Sequence, residues 1–436
     1  MPSPAFLGID IGTTGIRASI IDQNRVEILS ERIGFEASAT VGGKNEQSAE
    51  SWSKYLDQLL SRIPGRLKKL TPASIRAIAI DGTSSSLLAA RRNGSALSPA
   101  LMYNDVQSLQ QAQTIKQTAP SDSAVHGASS SLAKALNLLQ RHPDTEVFCH
   151  QADWLASQLT GSYGISDENN CLKLGYDSST QQWPPWLAEL LPDSLLPRVV
   201  APGTVIGTVR PELMYKYGLE NRCLVIAGTT DSNAAVLATG ANQIGDAVTS
   251  LGSTLVLKLF TDRPIFDAGS GIYSHRINNH WLVGGASNSG GAALLQHFSR
   301  QQLDVMTPQL KPEHCTGLRY YPLPATGERF PVNDSAKQNM TEPRPGSDVE
   351  FFQGLLESIA HIEADGYKQF EALGAAPVTA IVTTGGGSSN PAWNAIREKI
   401  TGVKVTTAEK SEASYGSALL AMQGYNDAQE NHAIIR

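Results

Sequence analysis

The segment from Phe6 to Asp22 constrains the fold most, because it predicts two strands joined by a tight turn. An apolar run ends at Asp10, and Gly12, Thr13 and Thr14 separate it from a second alternating run. A glycine turn lets a ligand approach the backbone closely, so its N–H groups and hydroxyls can hold phosphate oxygens. Asp10 supplies the carboxylate that Mg²⁺ needs, usually through bound water. The alternative is an ordinary N-terminal hairpin with polar turn residues.

A second segment, residues 246–260, repeats this pattern of strand, turn and strand. Its turn contains Gly252 and Ser253, followed by Thr254. Repeated units of this kind indicate a duplicated architecture with related halves. Two such turns facing each other across a cleft would hold the phosphates of a nucleotide between them. The P-loop pattern and the dinucleotide-binding glycine fingerprint are both missing.

Length, charge and cysteine usage limit the class of protein. A chain of 436 residues favours two domains, and 41% hydrophobic with 17% charged residues is typical of a globular protein. The net charge of −6 disfavours nonspecific nucleic-acid binding, so an anionic ligand must be bound by local groups. The four scattered cysteines predict free thiols in a reducing compartment. Without a signal peptide or a membrane span in the sequence, we expect a cytoplasmic protein.

Strand-like and helix-like segments alternate along the chain, which favours an α/β fold. We place the domain boundary before the apolar strand Cys223–Ala227, which gives domains 1–222 and 223–436. Residues 307–346 are rich in proline and charge and predict a long ordered surface excursion. Ser347 followed by Glu350 predicts the start of a long helix after it.

Asp231 is the leading candidate for a catalytic carboxylate. It follows the predicted strand Cys223–Ala227 and begins a helix, and ligands of α/β sheets bind at such strand ends. An aspartate there can act as general base toward a substrate hydroxyl. The alternative is a helix N-cap, a role that is compatible with catalysis.

Three further turns could bind ligands. Gly385–Gly387, with Asn390 and Trp393 after them, could admit a flat adenine ring against bare backbone, or could simply join a strand to a helix. The hydroxyls of Asp81–Ser84 could bind a polyol, the alternative being a capped turn. Asn104 and Asp105 could bind sugar hydroxyls, the alternative being a solvated loop.

In combination, these motifs resemble those of the FGGY family of carbohydrate kinases, which belongs to the actin-like ATPase superfamily. The resemblance covers essentially the whole chain and is closest to the D-ribulose kinase branch, the xylulokinase-like proteins of cyanobacteria and plants. It implies an α/β fold with two actin-like (ribonuclease H-like) domains, each a mixed sheet flanked by helices, and an interdomain cleft. The motifs occur in the family's order: Asp10-Ile-Gly-Thr-Thr, Asp81-Gly-Thr-Ser, Gly228-Thr-Thr-Asp231, Ser250-Leu-Gly-Ser-Thr and Gly385-Gly-Gly.

The resemblance implies a sugar-binding N-terminal domain and a nucleotide-binding C-terminal domain. Asp10 would orient Mg²⁺–ATP and touch the sugar, Ser84 would contact the sugar, and Asp231 would be the catalytic base. The remaining implied contacts go to the nucleotide and its phosphates: Gly12, Thr13, Thr14, Gly252, Ser253, Gly386, Gly387, Asn390 and Trp393.

Two departures bear on the substrate. Xylulokinases and glycerol kinases carry Trp-Asn-Asp where this chain has Tyr103-Asn104-Asp105, and their Met-His pair is missing from Ser84–Ser86. We therefore predict an ATP-dependent kinase that converts D-ribulose to D-ribulose 5-phosphate, as a monomer or small homo-oligomer. The alternatives are a kinase for another sugar or polyol such as xylulose, or an actin-like ATPase module without sugar transfer. A non-catalytic sugar sensor is disfavoured because Asp10 and Asp231 are both present.

Overall fold

The computed structural model describes residues 2–36, 41–219 and 222–434, and the chain forms two compact units. The first unit comprises Met1–Gly240 and Glu412–Arg436, and the second comprises Ala241–Ser411. The predicted division at 222 and 223 is wrong in two respects. The strand after Cys223 pairs within the first sheet, and the C-terminal helix returns to the first unit.

The first unit contains the strands β1 to β12. Their bounds are β1 (Ser3–Ile11), β2 (Gly15–Asp22), β3 (Glu27–Gly34), β4 (Glu46–Gln47), β5 (Ala73–Gly82), β6 (Leu87–Ala90), β7 (Ala100–Leu101), β8 (Val147–His150), β9 (Ile165–Asp167), β10 (Arg198–Val200), β11 (Val205–Thr208) and β12 (Leu224–Ile226). The second unit contains β13 (Asp246–Leu251), β14 (Leu255–Thr261), β15 (Tyr273–Ile277), β16 (His280–Ser287), β17 (Ala380–Thr384) and β18 (Val405–Thr407).

The helices α1 to α7 and α12 belong to the first unit, and α8 to α11 belong to the second. Their bounds are α1 (Ala49–Leu70), α2 (Leu109–Thr118), α3 (Ser131–Arg141), α4 (Gln151–Thr160), α5 (Glu168–Cys171), α6 (Pro211–Tyr217), α7 (Asp231–Ala238), α8 (Gly291–Leu294), α9 (Arg300–Met306), α10 (Asp348–Ala372), α11 (Pro391–Thr401) and α12 (Ala413–Ile434). The described residues include no helix that is long and apolar enough to cross a membrane.

The two large sheets share a five-stranded core topology, β12-β5-β1-β2-β3 and β18-β17-β13-β14-β16, which confirms the predicted duplication, and the sixth strand lies at opposite edges of the two sheets. Among the described residues, each is six-stranded, in the orders β11-β12-β5-β1-β2-β3 and β15-β16-β14-β13-β17-β18. In the first, β1 pairs antiparallel with β2 and parallel with β5, and β5 pairs parallel with β12. In the second, β13 pairs antiparallel with β14 and parallel with β17, and β17 pairs parallel with β18. Each predicted glycine turn therefore joins the central strand to its antiparallel neighbour.

The sequence builds each sheet from strands that are apolar on both faces. In β1, every residue from Ala5 to Ile11 is buried, as expected for a central strand covered on both sides. Trp52, Leu56 and Leu59 lie on the buried face of α1 within the same apolar core. Fully burying side chains of this kind contributes roughly 1.5–3 kcal/mol each.

The long helix of the second unit confirms another sequence prediction. Ser347 caps α10 by accepting a hydrogen bond from the Glu350 N–H at 3.3 Å. The segment 307–346 that precedes it contains one short 3-10 turn and isolated bridges, and it has ordered contacts throughout. Glu328 anchors it, because its buried carboxylate accepts hydrogen bonds from the Ser287 hydroxyl and the Asn288 N–H.

Candidate active site

Three aspartates of the first unit lie at the carboxyl ends of neighbouring parallel strands. Asp10 of β1 and Asp81 of β5 are register partners. Gly82 then forms a parallel bridge with Thr230, the residue before Asp231. This edge of the sheet is where α/β proteins bind ligands. The proximity of the Asp10 and Asp231 motifs within the fold therefore has a direct origin in strand pairing.

The carboxyl groups at this edge influence one another's protonation. Burial raises the pKa of Asp81 well above its ordinary value, and the charges of Asp10 and Asp231 raise it further. The Ser417 hydroxyl, at 2.5 Å from Asp81 Oδ2, opposes that shift. Burial also raises the pKa of Asp10, while a hydrogen bond from Asp81 and the charge of Arg17 lower it. Asp81 is therefore the carboxyl of the pair that retains a proton more readily.

Asp231 is the first residue of α7, and Thr230 occupies the N-cap position. The alternative of Asp231 as N-cap is thus wrong by one residue. The Asp231 Oδ1 instead accepts the N–H of the next residue, Ser232, at 2.6 Å. A tight backbone contact brings β12 to this place: a Cβ on Gly228 would lie 1.8 Å from the Ile80 carbonyl oxygen. Only glycine permits such an approach.

The first glycine turn is a closed hairpin turn held by hydrogen bonds. The Gly12 N–H donates to the Gly15 carbonyl at 2.9 Å, and Gln47 Nε2 donates to the Thr13 carbonyl at 3.0 Å. Thr13 is half-buried and Thr14 is exposed, so the Thr14 hydroxyl is open to a ligand. Gln47 was not identified from the sequence, because its role depends on a contact with a turn more than thirty residues away.

Arg17 is a second residue that the sequence motif did not single out. It is the β2 partner of Asp10 in the hairpin, and its Nη1 lies 3.7 Å from Asp10 Oδ2. The same nitrogen lies 2.9 Å from Glu412 Oε2. The guanidinium is 40% exposed, so a cation stands beside the glycine turn and remains accessible to an anion. The signal was available, since residues seven apart across this hairpin become cross-strand neighbours.

Ser84 lies in a rigid loop after β5. Thr83 and Ser86 hydroxyls are 2.5 Å apart, and the Lys134 ammonium donates to the Ser85 carbonyl at 2.7 Å. Ser85 has φ +65°, which is uncommon for a residue with a Cβ, so the surrounding contacts fix the loop. Ser84 itself is half-buried and open to a small ligand.

The two candidate sugar-binding residues Asn104 and Asp105 have different environments in the structure. Asn104 is exposed, whereas Asp105 is fully buried and accepts the backbone N–H of Asn45 at 2.7 Å. Gln107 also donates to the Asp105 carboxylate at 2.7 Å. These contacts give Asp105 a structural role, because its oxygens already have protein donors.

In the second unit, a cavity of about 480 Å³ brings together every nucleotide contact predicted for that part of the chain. Gly252 and Ser253 of the β13–β14 turn line it. Opposite elements contribute the remaining predicted residues: Gly386, Gly387, Asn390 and Trp393. The cavity therefore combines a phosphate-type turn with a glycine turn and an apolar wall, which suits a nucleotide.

Local contacts explain this arrangement. Asn390 caps α11 by accepting the Trp393 N–H at 3.0 Å. The indole of Trp393 is buried and donates to the Leu356 carbonyl at 3.2 Å. A Cβ on Gly387 would lie 2.5 Å from that ring, so glycine is required there. The sequence did not identify Arg300 and Asp304 of α9, which add the charged groups of the lining.

The donor set fits a water-mediated divalent cation. Among the residues that the structure describes, no cluster of three or more His, Cys, Asp or Glu side chains could enclose a metal. Asp10 nevertheless lies near the end of β1 beside the glycine turn, which places one carboxylate next to that turn. Mg²⁺ typically keeps several waters and is bound through one or two carboxylates plus substrate phosphates.

Comparison with known proteins agrees with this fold. Residues 5–238 match the FGGY family of carbohydrate kinases, N-terminal domain, and residues 247–425 match its C-terminal domain. The chain has the two-unit α/β architecture of sugar kinases. It belongs to the FGGY family of carbohydrate kinases, and is thus an ATP-dependent carbohydrate kinase.

Curated relatives cover nearly the whole chain at low identity. The xylulose kinase of Staphylococcus xylosus is 21% identical, with 96% of this chain and 90% of the relative aligned. The xylulose kinase of Haemophilus influenzae is 23% identical over the same shares of the two chains.

Solved structures share the fold. A crystal structure named xyloylose kinase from Brucella ovis superposes with a TM-score of 0.87 at 22% identity, covering 97% of this chain and 91% of that one. Plasmodium falciparum glycerol kinase with ADP superposes with a TM-score of 0.84 at 18% identity, covering 98% and 90%. At such identities the likeness establishes the fold alone.

Proposed function

We propose that this kinase transfers the γ-phosphate of ATP to a ketopentose, with D-ribulose as the preferred acceptor and D-ribulose 5-phosphate as the product. The observation that carries the proposal is the position of Asp231 at a ligand-binding sheet edge beside Asp10 and Asp81. An acceptor hydroxyl needs a general base, and Asp231 supplies one.

The roles of the surrounding residues follow from what phosphoryl transfer requires. The reaction depends on positioning and on stabilising the charge of the transferring group. The Gly12 turn with Thr13 and Thr14 would donate hydrogen bonds to that group, and Arg17 would add positive charge beside it. Ser84 would hold a sugar hydroxyl, since it lies in the loop after β5 whose shape Lys134 maintains.

Asp10 would bind Mg²⁺ through water, and the ion would neutralise phosphate charge on the nucleotide. Burial raises the pKa of Asp81, and a proton on that carboxyl would reduce repulsion among the three carboxyl groups at this edge. Asp231 would accept the proton of the attacking hydroxyl. On the nucleotide side, the cavity lined by Gly252, Ser253 and Trp393 would hold ATP.

The choice of D-ribulose depends on the departures around the sugar loop. The Met-His pair of xylulokinases is replaced by small serines at Ser84–Ser86, and the Ser86 hydroxyl accepts the Tyr103 N–H at 2.9 Å. Since the relatives named above are xylulose kinases, D-xylulose is the strongest competing acceptor.

The test is release of ADP by the purified protein with Mg²⁺–ATP and a panel containing D-ribulose, L-ribulose, D-xylulose, D-gluconate and glycerol. We expect the highest kcat/KM for D-ribulose, by about tenfold or more over D-xylulose, because losing one matched polar contact costs about 1–3 kcal/mol. A preference for D-xylulose would overturn the substrate assignment and leave the kinase assignment intact. ATP hydrolysis unaffected by every sugar would instead support the actin-like ATPase alternative.

A further inference from the structure

A fully buried ion pair lies within the second unit, beneath the two turns that line the nucleotide cavity. Glu363 of α10 and Arg397 of α11 both have side-chain exposures of 0%. Two parallel hydrogen bonds join them, with Arg397 Nε to Glu363 Oε2 at 2.6 Å and Nη2 to Oε1 at 2.7 Å. This bidentate arrangement fixes the orientation of both groups.

One end of the pair is tied to the strand that leads into the Gly252 turn. The Thr249 hydroxyl of β13 donates to Glu363 Oε1 at 2.5 Å. The same hydroxyl lies 2.8 Å from the Tyr367 hydroxyl, one helical turn further along α10. Thr249 itself is fully buried. The strand end before Gly252 is thus anchored by a side-chain oxygen that has no access to water.

The other end is tied to the strand that leads into the second cavity turn, Gly385–Ser389. Arg397 Nη1 donates to the Thr383 hydroxyl of β17 at 2.9 Å, and that hydroxyl donates to the Thr249 carbonyl at 3.2 Å. Arg397 Nη1 also donates to Asn394 Oδ1 at 3.1 Å, while Asn394 Nδ2 donates to the Ser388 carbonyl at 3.0 Å. A continuous chain of hydrogen bonds therefore reaches from the ion pair into this turn.

The two turns also contact each other directly. Thr249 and Thr383 are register partners in the parallel β13–β17 pair. A Cβ on Gly385 would lie 2.6 Å from the Leu251 carbonyl oxygen, so backbone meets backbone beside the cavity. A shift in the register of either strand would therefore move both turns together.

From these contacts we infer that Glu363, Arg397, Thr249 and Thr383 form a positioning network that sets nucleotide affinity without touching the nucleotide. A buried ion pair contributes little net stability, because desolvation offsets its attraction. Its two-sided hydrogen bonding instead fixes one geometry. The inference rests on the proposed function only for the identity of the ligand, and the placement of the turns does not depend on it.

The test removes single hydroxyls and leaves the ion pair in place. Thr249→Val and Thr383→Val keep the shape of the side chain but lose the connections to Glu363 and Arg397. We expect the KM for Mg²⁺–ATP to rise about tenfold in each, because misplaced binding groups lose affinity steeply. The KM for the sugar is expected to stay within about twofold of wild type, since this network lies in the second unit.

Thr261→Val is the matched control. Thr261 is also fully buried and lies in the same sheet, but at the end of β14 opposite to the Gly252 turn. Its hydroxyl accepts the Ala376 N–H at 3.4 Å and has no hydrogen bond to the ion pair. We expect this variant to lose thermal stability to a similar extent while keeping the wild-type KM for Mg²⁺–ATP.

Backbone hydrogen exchange separates this inference from the proposed function. Without any ligand, Thr249→Val and Thr383→Val should accelerate exchange in residues 250–255 and 384–390, whereas Thr261→Val should not. Unchanged exchange there would overturn the inference even in an active kinase. Accelerated exchange with no sugar-dependent turnover in wild type would uphold it and remove the proposed function. Equal increases in KM for all three variants would also overturn the inference, because they would show that the change in affinity comes from a general loss of stability.

Discussion

Lys134 lies in an environment that is unusual for a lysine. The side chain is fully buried in the small lobe of the first unit that is built on β6, β7 and β8, yet it carries an ammonium group. Its pKa is lowered from 10.5 to about 7, chiefly by burial, while the charge of Asp105 opposes the shift and the nearby Lys173 adds to it. The Lys134 ammonium donates a hydrogen bond to the Ser85 carbonyl, so this side chain holds the loop that presents Ser84.

This lowered pKa predicts a pH dependence of stability. In the unfolded chain the lysine keeps its proton up to about pH 10.5, whereas in the folded chain it loses the proton near pH 7. The unfolded state therefore binds more protons between these values, and stability rises with pH across that window. Below about pH 7 both states are protonated, and the cost of burying the charge is fully present.

We expect the free energy of unfolding of wild type, relative to Lys134→Met, to increase between pH 7 and pH 9. The upper limit is about 1.4 kcal/mol per pH unit, and the measured slope should have this sign. Denaturant unfolding at several pH values measures the difference. Parallel pH profiles for the two proteins would mean that Lys134 titrates alike in both states.

Several helices approach their neighbours so closely that a single methyl group would not fit. In the first turn of α12, a Cβ on Gly416 would lie 1.8 Å from the Ala234 carbonyl oxygen of α7. Because α7 begins at Asp231, this contact also positions the proposed base. In α1, by contrast, a Cβ on Gly65 would meet no atom within 4 Å.

Gly416→Ala is therefore expected to destabilise the protein by about 2 kcal/mol or more, through overpacking of the α7–α12 contact. The matched change Gly65→Ala is expected to be neutral or stabilising by up to about 1 kcal/mol, because alanine is the better helix former. Denaturant titration of both variants tests the pair. Equal effects would argue that helix propensity, rather than the contact between α7 and α12, decides the outcome.

At the level of elements, sequence patterns predicted the turns and helices that are determined by residues close together in the chain. The hairpin turns at Gly12 and Gly252 follow from apolar alternation and glycine, and the helix after Ser347 follows from its capping residues, all within short windows. The predicted domain boundary after residue 222 was wrong because the pairing of Leu224–Ile226 with β5 is a long-range contact, which local patterns do not reveal. The sequence did not predict that α12 returns to the first unit, for the same reason. The packing of α12 on β1 is a contact between the two ends of the chain.

The site shows the same division. Motif order placed Gly252, Ser253, Gly386, Gly387, Asn390 and Trp393 in one site, and the structure gathers them around one cavity. It could not identify Arg17 or Gln47, whose contacts with the first turn arise only after folding. Nor could it show that Asp105 is buried beneath the loop that carries Asn104.

For the whole molecule, duplication gives each unit a central strand, a glycine turn and a parallel neighbour in the same order. The two copies have diverged in what surrounds the turn. The first adds carboxylates at the ends of β1 and β5 and at the start of α7, which suits an acceptor hydroxyl. The second adds an apolar cavity, which suits a nucleotide. These features support the proposal that the first unit binds the acceptor and the second binds the donor.

The most direct test of this account is sugar-dependent ADP release by Asp231→Asn beside wild type and Asp122→Asn, an exposed control. We predict that Asp231→Asn loses about 10²–10⁴-fold in kcat with D-ribulose, because a general base contributes that much. Its binding of Mg²⁺–ATP and its melting temperature should stay close to wild type, and Asp122→Asn should retain full turnover. Near-normal sugar-dependent turnover in Asp231→Asn would contradict the assignment of Asp231 as the base and, with it, the central claim.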